Sequence, residues 1–197
     1  MIDRSDCRCY TVAIENNKED TCMTTLDTIF SRKSVRRFCG SLTDAELNTV
    51  LQAAYAAPVG RALYENVHLT VITNRELIGK LNEAAIAFFG NPNMDPLHDA
   101  PVFVLVSAKL GGPADNVGYS NCATIVENMA LAAVELGLGA CHIWGAVAAL
   151  NQNPALVDEL NLPEGFTPCC GIIMGKTEEE YTPCEPISER IATAYIR

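Results

Sequence analysis

Residues 114–145 read ADNVGYSNCATIVENMALAAVELGLGACHIWG, and the way this stretch folds decides the architecture. Ile125, Val126, Met129, Ala133 and Val134 recur at intervals of three and four, the period of an α-helix. Apolar positions circle widely, so the spacing predicts a long helix over 114–139 that is buried, against the rest of the chain or against another subunit. Gly137 and Gly139 read as its stop signals. ACHIW, 140–144, follows as a short strand.

Toward the C-terminus, NPALVDEL (153–160) reads as a short helix with Asn153 as cap and Pro154 at its first position. TPCCGIIMG (167–175) reads as the last core strand. Toward the N-terminus, VFVLVSA (102–108) is apolar on both faces, as a central strand is, and VHLTVIT (67–73) alternates as a strand does. NRELIGKLNEAAIAF (74–88) is an amphipathic helix capped by Asn74; LTDAELNTVLQAAYAAP (42–58) is another, opened by a Thr43/Glu46 capping box and stopped by Pro58. FGNPNMDPLHDAP (89–101) is a loop, and TTLDTIFSR (24–32) a helix capped by Thr24 or Thr25. Residues 1–23 read as a flexible leader or arm, and 177–197 as a polar tail with a final turn at SERIATAYI, 188–196. Helices and strands alternate irregularly, which favours an α+β layer arrangement with a mixed sheet between helices.

Composition narrows the function. A chain of 197 residues that is 49% apolar can bury one good core. A net charge of -10 lacks the basic footprint of a nucleic-acid protein. No apolar run reaches the roughly 18 residues of a membrane span, and YTVAI is too short for a secretory signal, so a cytoplasmic protein is expected. Nine cysteines occur without a single C-x-x-C, and the three histidines are dispersed, so a zinc site is not indicated. Cys122, Cys141, Cys169 and Cys170 sit in apolar segments and read as buried thiols. Neither G-x-G-x-x-G after a strand nor G-K-[ST] is present.

Against this acidic background, FSRKSVRRF (30–38) gathers Arg32, Lys33, Arg36 and Arg37, four of fourteen basic residues. In an extended chain Arg32, Ser34 and Arg36 share one face, and two guanidinium groups flanking a hydroxyl can hold a phosphate. In a helix the four cations would form one solvated stripe. Spacing alone leaves both readings open.

SRKSVRRF resembles the R-x-S-x-R-x-F segment of nitroreductase-like flavoenzymes, and further landmarks follow in that family's order. They are LQAAYAAPVGRALYENVHLTVIT, DAPVFVLVSA, NCATIVENMALAAVELGLGACHIWG and PEGFTPCCGIIMGK, together spanning about 24–176. The resemblance implies a three-layer α/β/α homodimer with a mixed, mainly antiparallel sheet and FMN at the subunit interface. Residues 24–176 would form the FMN-binding domain, and the tail would wrap the partner subunit. Arg32 and Ser34 match positions that grip the FMN phosphate, with Lys33 between them, and Arg36 matches one that faces the pyrimidine edge of the ring. Pro58, Val59 and Gly60 match the turn beside the ring. Gly145 matches a position whose N–H lies near flavin N5, with Trp144 before it. Asn91 is a candidate for the O4 edge, and Lys176 for completing the phosphate site. Cys122, Met129 and Ala133 are candidates for either the dimer interface or the core of one subunit.

The sequence departs from the family where APVGRALYENV (57–67) replaces a turn that carries a serine: Val59 offers no hydroxyl, and Arg61 and Tyr64 are additions. The implied activity is reduction of a small organic acceptor, such as a nitroaromatic, quinone or enone, with NADH or NADPH as donor. The competing readings are a flavin carrier or sensor without turnover, and a cysteine-rich redox or metal protein. His68 reads as structural and His142 as the better proton-donor candidate.

Overall fold

The computed structural model describes residues 23–112, 115–185 and 190–197. The leader expected over 1–23 lies outside them except for Met23. Helices α1 (Thr25–Ser31) and α2 (Asp44–Tyr55) precede strand β1 (Val67–Ile72); α3 (Arg75–Phe89) leads to β2 (Val102–Lys109). Then come α4 (Asn116–Glu135), β3 (Leu138–Ile143), α5 (Gly145–Leu150), α6 (Pro154–Glu159) and β4 (Phe166–Lys176). The expected caps form: Thr24 and Thr43 each close a capping box, and Asn74 and Asn153 accept first-turn N–H groups. The short helix α5 was not evident in the sequence. The expected final turn over 188–196 is absent among the described residues 190–197, which are not helical.

The four strands run in the order β1-β2-β4-β3, and every pairing among the described residues is antiparallel. The expected mixed sheet is therefore corrected. The reason lies in how the chain travels from β1 to β2. Phe103 pairs with Ile72, so β2 begins where β1 ended. Helix α3 carries the chain about 22 Å back along the sheet, and the loop over 90–101 returns it before β2 starts.

Alternation along the strands divides the core in two. Val102, Val104, Val106, Ile172 and Met174 pack beneath α2 and α4. Phe103, Leu105, Cys141, Ile143 and Ile173 pack beneath α3, α5 and α6. Helices thus cover both faces, giving the three-layer order. Cys122, Met129 and Ala133 are fully buried within this one chain, so they belong to the core of one subunit: their side of α4 meets the sheet. Cys141, Cys169 and Cys170 are buried as well. Among the described residues no helix is long and apolar enough to cross a membrane.

Gly137, at φ 66°, ends α4 in the left-handed conformation that glycine adopts without penalty. Gly139 is not a second stop, as the sequence suggested, but a strand position, since β3 starts at Leu138. It pairs with Gly175 of β4. A Cβ on Gly139 would lie 2.7 Å from Val35 Cγ1, and one on Gly175 would lie 2.8 Å from Phe38 Cδ1 and 2.9 Å from Pro101. The paired glycines leave a shallow bed across the sheet, and residues 35–38 lie in it. Val35 N–H donates to Ala140 O (2.9 Å), Cys39 N–H to Lys176 O (2.9 Å) and Lys176 N–H to Gly40 O (2.7 Å). The basic segment is therefore extended, and the helical stripe does not form.

Gly139→Ala should destabilise the protein by about 1–3 kcal/mol, because the added methyl meets Val35 in a well-packed site. Gly79, inside α3, has nothing within 4 Å of an added Cβ. Gly79→Ala should raise stability by roughly 0.5–1 kcal/mol. Urea unfolding of both variants checks this, and effects of the same sign would contradict the packing described.

Candidate functional site

The site begins where α1 ends. Arg32 leaves the helix at ψ 127°, and the chain stays extended through Phe38. Val35 is fully buried and anchors the segment, while its charged neighbours reach outward. Arg32 approaches Glu127 of α4 through its Nε, 3.5 Å from Oε1. The other carboxylate oxygen, Oε2, lies 3.2 Å from His142 Nε2 on β3. One carboxylate thus joins the basic segment to the strand beside it. The His142 hydrogen bond holds Glu127 below the usual carboxylate range; burial opposes it and the Arg32 charge adds to it.

His142 also lines a cavity of about 450 Å³ with Arg36, Trp144, Gly145, His98 and Phe89. Arg36 makes no ion pair among the described residues. Gly145 opens α5, so its N–H has no acceptor within that helix. A Cβ there would lie 2.7 Å from Phe89 Cζ, so the Phe89 ring can lie against this backbone only because the residue is glycine. Trp144 is 54% exposed beside it. His98 and Asp99 are both left-handed, at φ 51° and 49°, which turns the loop toward the cavity. Burial pushes the His98 imidazole below its ordinary range, and the nearby Arg36 charge acts in the same direction against Asp95.

Three of the expected residues, Arg36, Trp144 and Gly145, therefore meet in one cavity, and Arg32 reaches its wall through Glu127. Ser34 is exposed beside them on the segment. The others lie elsewhere in this chain. Lys33 Nζ is 3.0 Å from the Glu179 carboxylate, donates to Glu180 O (3.0 Å) and sits over the Tyr181 ring at 5.6 Å. With Tyr181 Oη donating to Leu138 O (2.7 Å), the first part of the tail packs on its own subunit. Lys176 is paired with Glu46, the capping residue of α2. Asn91 Oδ1 accepts the Asn93 N–H (3.1 Å) within its own turn. Pro58, Val59 and Gly60 dock on α4: Gly60 N–H donates to Asn121 Oδ1 (3.0 Å), and Thr124 Oγ1 donates to Pro58 O (3.3 Å). Val59 and Gly60 line two other cavities and none shared with Arg36.

Sequence reasoning missed Glu127, His98 and Phe89. Glu127 had a signal, being the only charged residue between Asn121 and Val134. His98 and Phe89 had none, because only the folded loop brings them to the cavity.

The Nitroreductase family matches residues 29–176. This chain belongs to the nitroreductase family. A protein of Methanothermobacter thermautotrophicus, provisionally named NADH dehydrogenase/NAD(P)H nitroreductase, is 30% identical over 165 residues, covering 80% of this chain and 79% of that one. A similarly named Archaeoglobus fulgidus protein is 27% identical over 157 residues, covering 79% and 86%. The fold is also that of a Bacteroides fragilis nitroreductase, at a TM-score of 0.74 and 26% identity over 87% of this chain and 98% of the other. In this nitroreductase family member the cavity around Arg36 and Gly145 is the candidate active site.

A carboxylate whose folded value is depressed contributes stability that is present above its unfolded value and lost as pH falls through the folded one. Glu127→Gln should therefore be less stable than the native chain at neutral pH. The gap should close on acidification from about pH 5 to 3, around the ordinary glutamate range. Thermal unfolding across that interval measures it, and a gap independent of pH would contradict the pairing.

Proposed function

We propose that the protein is an FMN-dependent oxidoreductase. It takes electrons from NADH or NADPH and passes them to a small organic acceptor such as a nitroaromatic, quinone or enone, acting as a cytoplasmic homodimer. One observation carries this reading: a guanidinium group without a carboxylate partner among the described residues shares a cavity with a free glycine N–H and two exposed aromatic rings. Family membership supports it, as do the bound FMN of the Bacteroides fragilis nitroreductase and the names of the archaeal relatives.

The residues fit the cofactor by the chemistry of their donors. Arg32 approaches Glu127 through Nε and makes no hydrogen bond from its terminal nitrogens among the described residues. That fork and the Ser34 hydroxyl offer charge-assisted bonds to a phosphate. Arg36 supplies fixed positive charge in a partly enclosed cavity, where it offsets negative charge that grows on reduction. The Gly145 N–H is a donor with no competing acceptor in its helix. Trp144 and Phe89 wall the cavity and exclude water. FMN, when bound, supplies the hydride and electron chemistry. Lys176 can join a phosphate only by leaving Glu46, so the first grip falls to Arg32 and Ser34.

The placement of Pro58–Gly60 supports a two-chain site. In its own subunit this turn lies on α4, away from the Arg36 cavity, so its flavin role requires the turn of a second copy. Leu26 and Ile29 of α1 are exposed apolar residues available to such a partner.

Purified protein should be yellow or take up FMN, and anaerobic NADH or NADPH should bleach it. Protein that stays colourless in excess FMN would overturn the proposal, and uptake without turnover would favour a carrier. Arg36→Ala should weaken FMN binding about tenfold to a hundredfold, the equivalent of one lost charged hydrogen bond. Fluorescence titration gives the affinity, and an unchanged value would remove Arg36 from the site.

A further inference from the structure

We propose that Glu127 is a positioning residue for His142, and that His142 is the proton donor to the acceptor reduced in the Arg36 cavity. This rests on the oxidoreductase reading above. The geometry assigns each group a place. Glu127 stands near the middle of the longest helix and is engaged at both oxygens, with Arg32 at Oε1 and His142 at Oε2. Braced by Arg32, the carboxylate holds one orientation, and its remaining oxygen fixes the imidazole. His142 keeps 28% of its side chain exposed and lines the cavity beside Gly145. It is thus held by one edge and open to a ligand.

The two imidazoles that line the cavity have different surroundings. Glu127 from α4 contacts His142, Arg32 meets the other oxygen of Glu127, and Arg36 from the basic segment with Asp95 and His98 from the loop over 90–101 line the same cavity as His142. Cys141 is its neighbour on β3, and its partner on β4 is the apolar Ile172. The Glu127 carboxylate accepts a hydrogen bond from the His142 ring. His98 has Arg36 nearby and burial against it, so it stays neutral at higher acidity.

The proton step balances. A quinone that has accepted a hydride, with electrons drawn from NADH or NADPH, is a hydroquinone monoanion. The N–H bond of the His142 imidazolium breaks, the proton joins the anionic oxygen, and neutral hydroquinone leaves. The neutral imidazole regains a proton from solvent and is neither oxidised nor reduced. Reduction of the enzyme by the nicotinamide needs no such donor, so the two halves of the cycle depend differently on His142.

The test uses FMN-loaded protein and a para-quinone in anaerobic stopped flow, with His142→Asn and Glu127→Gln compared against the native chain. His142→Asn should slow reoxidation by the quinone about a hundredfold, and reduction by NADPH far less. Glu127→Gln should also slow reoxidation, by less than His142→Asn does, and should likewise spare reduction by NADPH. The double variant should reoxidise no more slowly than His142→Asn alone, since Glu127 acts through His142. Equal slowing of both half-reactions, or additive slowing in the double variant, would overturn the inference while leaving the flavoenzyme reading intact. Failure of the native chain to take up FMN would overturn both.

Discussion

Everything at the site depends on one close approach between backbones. Gly139 and Gly175 face each other on β3 and β4, and the segment carrying Val35 and Phe38 lies where their side chains would have been. Val35 N–H caps the otherwise open edge of β3 at Ala140, and the Cys39 and Gly40 bonds to Lys176 close the far end. Once Val35 is buried and the backbone is tied at both ends, the cations of 32–37 have little freedom. Alternation sends Arg36 to one cavity, and the end of α1 sends Arg32 toward α4. Without the two glycines this charge would belong to a loose surface loop.

The fate of each cation then follows from the carboxylate that reaches it. Arg32 meets Glu127, Lys33 meets Glu179 and Lys176 meets Glu46. All three pairs are partly exposed, where solvent screening leaves such contacts worth little energy. Their value is geometric: they fix where long side chains end. Arg36 and Arg37 have no such partner among the described residues. In a chain of net charge -10 with carboxylates close by, Arg36 lines a cavity without an ion pair among the described residues.

Much of this was legible in the sequence because the signals were local. Capping residues at Thr43, Asn74 and Asn153, the apolar run of β2 and the period of α4 each act within a few residues, so the elements could be read with no knowledge of their packing. The site was legible only in part. Arg36, Trp144 and Gly145 were singled out through motif order, and they line one cavity. Lys33, Asn91 and Lys176 carried the right chemistry, but the partners that occupy them come from the tail, a local turn and a distant helix. Glu127 could have been noticed as a lone charge in an apolar stretch, although nothing nearby in sequence named His142 as its partner.

By itself the sequence determined most of the elements, the two-sided burial of the sheet and the concentration of positive charge behind α1. These follow from periodicity and composition, which act over short stretches of chain. Only the tertiary structure decided that every strand pairing among the described residues is antiparallel, that Gly139 is a bed for Val35 rather than a helix stop, and that Glu127 joins Arg32 to His142. Strand direction depends on where a long loop delivers the chain, and contacts between residues distant in sequence exist only after the layers have closed on one another.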